Sequence, residues 1–361
     1  MLKPNTSTHQ NNSTDSVALV VNFIQLFLKI ITREEFLQLL KQRKINLNEF
    51  LIQARQHKCY EIIYYAIRMN KLGKHLPKMN QLLDKRVNRR KKHNDELWQE
   101  FMTLSEKLTA LQIDHILYKG KAFSDKFYPA NFMRSSVDID LGIELKDIPK
   151  ASTVLNELGY EAYKHKPDYD SLSQSRAYYI DFSFVKRDLQ GNIMYNIELH
   201  WQAAHKVLEV PYIFNDLKTK GAIQMIENSE VFAFSKIELA VLLVIHHGMV
   251  DVWGQLRHLV DLHYVVEKLN DQEMEAFVNR LKQLKLYTCF KNGLSQLNIL
   301  HNKEKPDKLW ELILSGNMSK NWSEFPPKLW WHLKMRDTLS DRVKVLYSLA
   351  KFRLKFKQTT L

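Results

Sequence analysis

The sequence predicts an α+β fold, a small mixed sheet flanked by N-terminal and C-terminal helical regions. Three observations lead there. Glycine and proline are scarce, 10 and 9 among 361 residues, so few positions interrupt a helix. Apolar residues recur at helical spacing towards both ends of the chain. Between them the pattern shifts to short apolar runs, period-two alternation and turn signals. The expected organisation is a disordered tail over residues 1–15, a helical region over 16–111, an αβ core over 112–232 and a second helical region over 233–361.

The tail reading rests on a run of Asn, Ser, Thr, His and Gln with no apolar signal core. Residues 17–30, 48–69 and 94–111 show helix-like apolar spacing. Thr32-Arg33-Glu34-Glu35 reads as a capping box ahead of Phe36, Leu39 and Leu40. In the core, residues 113–118 form a short apolar strand ending at Lys119-Gly120, and 122–128 form a helix stopped by Pro129. Residues 136–143 alternate, with Val137, Ile139 and Leu141 towards the core and Ser136, Asp138 and Asp140 on the other face. An amphipathic helix over 147–158 stops at Gly159. Residues 177–186 and 192–201 read as strands joined by a turn at Asp188 and Gly191. Ser235-Lys236-Ile237-Glu238 reads as a second capping box, opening the most apolar helix, and helices follow at 252–268, 271–285 and in the last fifty residues. Trp322, Trp330 and Trp331 read as packing residues beside Pro326-Pro327.

Composition narrows the function classes. With 45% hydrophobic and 26% charged residues, the chain can bury a core and is not a low-complexity polymer. Its two cysteines, Cys59 and Cys289, exclude a disulfide scaffold and a cysteine-rich zinc site, and no His/Cys spacing matches zinc either. The longest apolar stretch, residues 239–245, is too short to span a bilayer, so the expected setting is soluble and cytoplasmic. The net charge of +13 is uneven: residues 1–110 carry 19 basic and 10 acidic side chains, and residues 331–361 carry 8 and 2. The run Arg86, Arg89, Arg90, Lys91, Lys92 is either a solvated helix face or a footprint for nucleic acid or another polyanion.

The chemistry concentrates in Arg134-Ser135-Ser136-Val137-Asp138-Ile139-Asp140-Leu141. Two Asp at i and i+2 on a strand share a face, where their charges repel unless a cation sits between them. Mg²⁺ takes oxygen ligands and commonly uses one or two carboxylates together with substrate phosphates. Glu198 and His200 share a face of a later strand; beside the first strand, Glu198 completes an acidic triad able to hold metal ions. Lys119 could set a charge on a phosphate, with Gly120 letting backbone approach it. The nucleotide-binding candidates are therefore Lys119, Gly120, Lys121, Arg134 and Ser136. Arg134 has two readings, a grip on phosphate or a structural salt bridge to an acid of the site. His247, Arg257 and Asp261, with His200, either line a substrate pocket or form a packed, hydrogen-bonded core set. Walker, dinucleotide-binding and Gly-x-Ser-x-Gly patterns are absent.

The ordered motifs Leu-Tyr-Lys-Gly-Lys-Ala, Phe-Tyr-Pro, Arg-Ser-Ser-Val-Asp-Ile-Asp-Leu, Leu-Gly-Tyr and Ile-Glu-Leu-His-Trp carry a resemblance. Together with His246-His247-Gly248, Trp253, Leu256-Arg257 and Asp261-Leu262, they resemble bacterial nucleotidyltransferases of the polymerase-beta-like superfamily, over residues 110–265. The resemblance implies a core in which Asp138 and Asp140 bind Mg²⁺ and Glu198 takes the place of the third acidic residue. It puts Lys119 and Gly120 where the usual Gly-Ser turn stands, and Glu where the usual third acid is Asp. The implied activity moves a nucleoside monophosphate from an NTP, expected to be ATP, to an acceptor that is a small molecule, peptide, protein or RNA. Nucleic acid would meet the basic N-terminal region. Two rival readings stand beside it: a catalytically inactive member of the fold that binds a partner, and a glycosyltransferase using Asp-x-Asp on a nucleotide-sugar. The short run of chain before Asp138 speaks against the second.

Overall fold

In the computed structural model, residues 6–43, 45–163, 179–302 and 325–359 are described. The first five residues of the expected tail, residues 177–178 of the expected strand and Trp322 lie outside them, as do the side chains of Pro326 and Pro327. The chain has an α+β fold with a mixed sheet at its core and helical regions before and after it.

Helix α1 spans Thr6–Phe27, so the backbone of residues 6–15 is helical. Extending a helix already nucleated by the apolar run behind it adds a hydrogen bond per residue at little cost, which a polar sequence tolerates. Phe23 anchors α1 against α2 (Arg33–Lys41) and α3 (Leu47–Gln56), its ring centroid 4.7 Å from Phe36 and 5.6 Å from Phe50. The Thr32 capping box forms with both arms. The expected 48–69 helix is two, α3 and α4 (Tyr60–Met69), because Lys58 turns left-handed (φ 53°) between them. Helix α5 (Pro77–Ala110) starts well before the expected residue 94, with Pro77 in its first turn. Its buried stripe runs Met79, Leu83, Val87 and then resumes only at Leu97. The gap holds the basic run, sustained by the good helix propensity of Arg and Lys instead of by burial.

The seven-stranded sheet has the order β3-β4-β5-β2-β1-β7-β6. Its members are β1 (His115–Leu117), β2 (Ile139–Ile143), β3 (Glu161–Tyr163), β4 (Asp181–Arg187), β5 (Ile193–His200), β6 (Gly221–Ile226) and β7 (Ser229–Phe234). Helices α6 (Lys121–Phe127) and α7 (Ile148–Glu157) connect its first strands. Strand β2 is buried along its whole length, antiparallel to β1 and parallel to β5. At Gly142 an added Cβ would meet Ile116 Cγ2 at 2.7 Å, so this close central pairing requires glycine.

Strand β2 starts at Ile139, not at residue 136, and Val137 is 54% exposed instead of packed. The Asn94 side chain explains the loss: its Nδ2 donates to the Ser136 carbonyl (2.8 Å) and its Oδ1 accepts from the Ser136 N–H (2.9 Å). Both ladder groups of Ser136 are thereby spent on α5. The β6–β7 hairpin is an addition to the sequence reading, and β7 ends two residues beyond the expected end of the core. Ile223 and Met225 on β6 both face solvent, so the strand lacks the one-sided pattern that identifies a half-buried strand.

Helix α8 (Lys236–Leu243) is capped by Ser235, but Glu238 does not reach back; it receives Tyr212 and Arg280 instead. A π-helical stretch, Val244–Val250, follows directly. Helices α9 (Leu256–Lys268), α10 (Asp271–Gln283) and α11 (Tyr287–His301) complete this region, with α12 (Phe325–Lys334) and α13 (Leu339–Thr359) after it. Among the described residues, no helix is long and apolar enough to cross a membrane.

Candidate active site

The register of two parallel strands builds the site. Asp140 on β2 pairs directly with Glu198 on β5, and Gly142 with His200. Side chains two apart on a strand share a face, so Asp140, Glu198 and His200 meet on one side of the sheet. His200 Nε2 lies 2.9 Å from Asp140 Oδ1 and 3.2 Å from Glu198 Oε2. Lys119, just past the end of β1, donates its ammonium to the same Asp140 oxygen at 2.8 Å. Asp181, opposite His200 on β4, faces His200 Nδ1 at 3.6 Å. Asp138 stands in the bend before β2 and accepts from the Ser136 hydroxyl at 2.9 Å.

Burial and neighbouring charge set the protonation here. Burial opposes charge on Asp140, but Lys119 and His200 outweigh it and hold the carboxyl well below its usual range. Burial would also keep His200 neutral, yet its bonds to Asp140 and Glu198 raise its pKa to about 9, so it is an imidazolium at neutral pH. Asp138 moves the other way, to about 6, first through burial and then through the charges of Asp140 and Glu198. Asp181 is likewise raised, first by burial, so four carboxylates face two cations, and Asp138 and Asp181 carry the mismatch.

These carboxylates open onto a cleft of about 310 Å³. Its other walls come from the helical regions, with Arg55 and Arg90 on one side and His247, Arg257 and His258 on another. Helix α5 presents Arg90 in the interval where its buried stripe is interrupted. Gly120, at φ 55°, turns the chain from β1 into α6 with Ser136 3.5 Å from where a Cβ would stand.

Behind the cleft lies a second polar node. Asp261 is fully buried and accepts from the Tyr128 hydroxyl, from Arg134 Nε (2.9 Å) and Nη2 (3.0 Å), and from His247 Nε2 (2.9 Å). Its carboxyl, which burial alone would raise, is held well below the usual range chiefly by Arg134. Burial keeps His247 and His258 neutral.

Several expected placements change. Arg134 is committed to Asp261, the structural alternative, instead of being free to grip phosphate. Lys121 pairs with Glu227 and lies over the Trp98 ring. Arg257 donates to the Ser135 carbonyl at 2.8 Å. Asn94 and Asp181 were absent from the expected set: Asn94 acts through backbone, and only the β4–β5 pairing reveals Asp181.

Among the described residues, two groups have ligand atoms that all lie within 4.8 Å of one another: Asp140, Glu198 and His200, and His247, Asp251 and His258. Asp138 belongs to neither group. On the sheet the group that converges is Asp140, Glu198 and His200, with Asp138 in the bend two residues before Asp140. The members of the second group are brought together by the fold and not by a recognisable sequence spacing.

The sequence profile of a family described as "Uncharacterised nucleotidyltransferase" matches residues 43–302. No curated protein matches the chain. Among solved structures, an antigenic nucleotidyltransferase-like protein from Paracoccidioides brasiliensis is similar at 17% identity and a TM-score of 0.32, covering 55% of this chain and 93% of that one.

Proposed function

The chain belongs to that family of uncharacterised nucleotidyltransferases, and from this premise we propose that it transfers a nucleoside monophosphate from an NTP, with ATP the expected donor, to an acceptor, releasing pyrophosphate. The observation that carries the reading is the parallel β2–β5 register, which sets Asp140 against Glu198 with Asp138 two residues upstream. The donor set fits Mg²⁺: it is rich in carboxylate oxygen, and three acids exceed the two cations beside them. Asp138, Asp140 and Glu198 would hold the ion, which when bound neutralises phosphate charge and favours the attacking oxygen.

The chain's own residues do the rest. Lys119 lies at the cleft and supplies a positive charge for the triphosphate, and Gly120 leaves its backbone approachable. The acceptor hydroxyl oxygen attacks the α-phosphorus, the bond to the β-phosphate breaks, and pyrophosphate leaves. The hydroxyl proton passes to Glu198. Fixed carboxylates and cations make this a reaction of positioning and charge neutralisation. The acceptor belongs to the class of small molecules, peptides, proteins or RNA that presents such a hydroxyl, and Arg55 and Arg90 suit an anionic one.

The test is the Asp138→Asn/Asp140→Asn double variant. Mg²⁺-dependent pyrophosphate release should fall to background while the variant stays folded; unchanged turnover rejects the mechanism. One observation favours an inactive, partner-binding member of the fold instead: Lys119 and His200 both already hold Asp140 Oδ1. Calorimetry with Mg²⁺ and each NTP separates the two, since the inactive reading expects no nucleotide to bind.

A further inference from the structure

We infer that His247, Asp251 and His258 form a second cation site, for a divalent transition metal of the zinc class, on the helical wall of the cleft. The inference does not depend on nucleotidyl transfer.

The first argument is convergence. The three residues offer ligand atoms within 4.8 Å of one another and all line the cleft. Two imidazoles and one carboxylate are a donor set for zinc or its neighbours, whereas Mg²⁺ prefers oxygen throughout. The second argument is unsatisfied polarity. The Nδ1 atoms of His247 and His258 are buried without a hydrogen-bond partner, and His258 is 2% exposed. Buried ring nitrogens in folded proteins are nearly always paired, with protein, water or an ion, and these two adjacent ones have no protein partner among the described residues. The third is orientation. His247 holds Asp261 through Nε2, leaving Nδ1 as its free donor, and Arg134 and Tyr128 fix Asp261 in turn. A carboxylate behind an imidazole in this way sets the ring of a metal ligand.

The backbone that delivers Asp251 is strained. After the π-helical stretch the Asp251 N–H returns to the His246 carbonyl (2.9 Å), and Val252 and Trp253 both turn left-handed, at φ 51° and 55°. A β-branched and a bulky residue rarely adopt that region. Burial of Trp253, whose indole donates to the Cys289 carbonyl, holds the turn in place. The outcome is a carboxylate 3.5 Å from His258 Nε2.

The two rings stack, with centroids 4.0 Å apart and planes 13° apart. Parallel rings cannot both aim a nitrogen at one ion. His247 is tethered by Asp261, so His258 is the ring that turns on binding. The three residues line the same cleft as Asp138, Asp140 and Glu198.

Cobalt is the probe, because its visible spectrum reports nitrogen ligation. Chelator-treated full-length protein is titrated with Co²⁺ alone, beside Asp251→Asn, whose side chain is 46% exposed and safe to change. The expected result is uptake of one more Co²⁺ by the unaltered protein than by the variant, or at least tenfold weaker binding of that ion by the variant. Equal stoichiometry and affinity in both, or no Co²⁺ uptake, overturns the site. A zinc-soaked crystal with anomalous density among His247, Asp251 and His258, and the His258 ring turned out of its stack, supports it. Density only at Asp140, Glu198 and His200 overturns it.

Discussion

Asp140 and Asp261 are both buried carboxylates, each hydrogen-bonded to a histidine and a cation, yet they sit in opposite electrostatic situations. Around Asp261 the charges close: one carboxylate meets one guanidinium, a hydroxyl and a neutral imidazole, with no acid among its hydrogen-bond partners. Around Asp140 they do not close. Glu198, Asp138 and Asp181 add further acids, and Lys119 and His200 answer only in part. The first arrangement is what a fold needs to keep a buried charge, since an unpaired one costs several kcal/mol. The second leaves a deficit of positive charge facing a cleft, which serves no structural purpose and suits a bound cation and phosphate. Residue type alone does not separate structural from functional acids; the local charge balance does.

The largest effect should come from breaking the balanced node. Asp261→Asn leaves the Arg134 guanidinium buried beside a neutral amide, its side chain only 11% exposed. Loss of one partner of a buried pair costs about 3–5 kcal/mol. Urea unfolding should show that loss, with the slope unchanged; a loss under about 1 kcal/mol would mean the node is not structural.

The two nodes should also separate by pH. Asp261 has a depressed pKa, so its contribution is present above the unfolded carboxylate range and is lost only on strong acidification. His200 has a raised pKa, so its contribution is complete below about 6.5 and is lost as pH rises through about 9. Metal-free protein should therefore lose roughly 3 kcal/mol between these values. In His200→Gln that slope should flatten. A variant that retains the full alkaline slope would show that some other group is responsible.

Much of this contrast was legible in the chain. Alternation from Ile139 to Leu141 and in Asn196-Ile197-Glu198-Leu199-His200 set which side chains share a face, because strand period depends on backbone geometry alone. What was not legible arose from contacts distant in sequence. Asn94 removes Ser136 from the ladder across 42 residues, and Arg134 meets Asp261 across 127. The β6–β7 hairpin hid because Ile223 and Met225 are apolar on an exposed strand. Asp251 and His258 could not be read as a pair, since their approach depends on a left-handed turn at Val252 and Trp253 that neither residue type favours.

The smallest effect is the most telling, because its sign should reverse. Asp138 is the carboxylate that binds its proton too tightly, with a pKa near 6 caused by burial and then by Asp140 and Glu198. A raised acid pKa means the folded state is penalised as pH rises through that range. Asp138→Asn removes the penalty while weakening the bond from Ser136, and the net effect should stabilise the metal-free protein at pH 7, opposite in sign to Asp261→Asn. Millimolar Mg²⁺ should then invert the order: the unaltered protein gains stability from the ion it binds, and the variant gains less. Thermal unfolding with and without Mg²⁺ reads both signs in one experiment. If Asp138→Asn is destabilising without metal, the charge around Asp140 is already balanced, and the distinction between the two nodes fails.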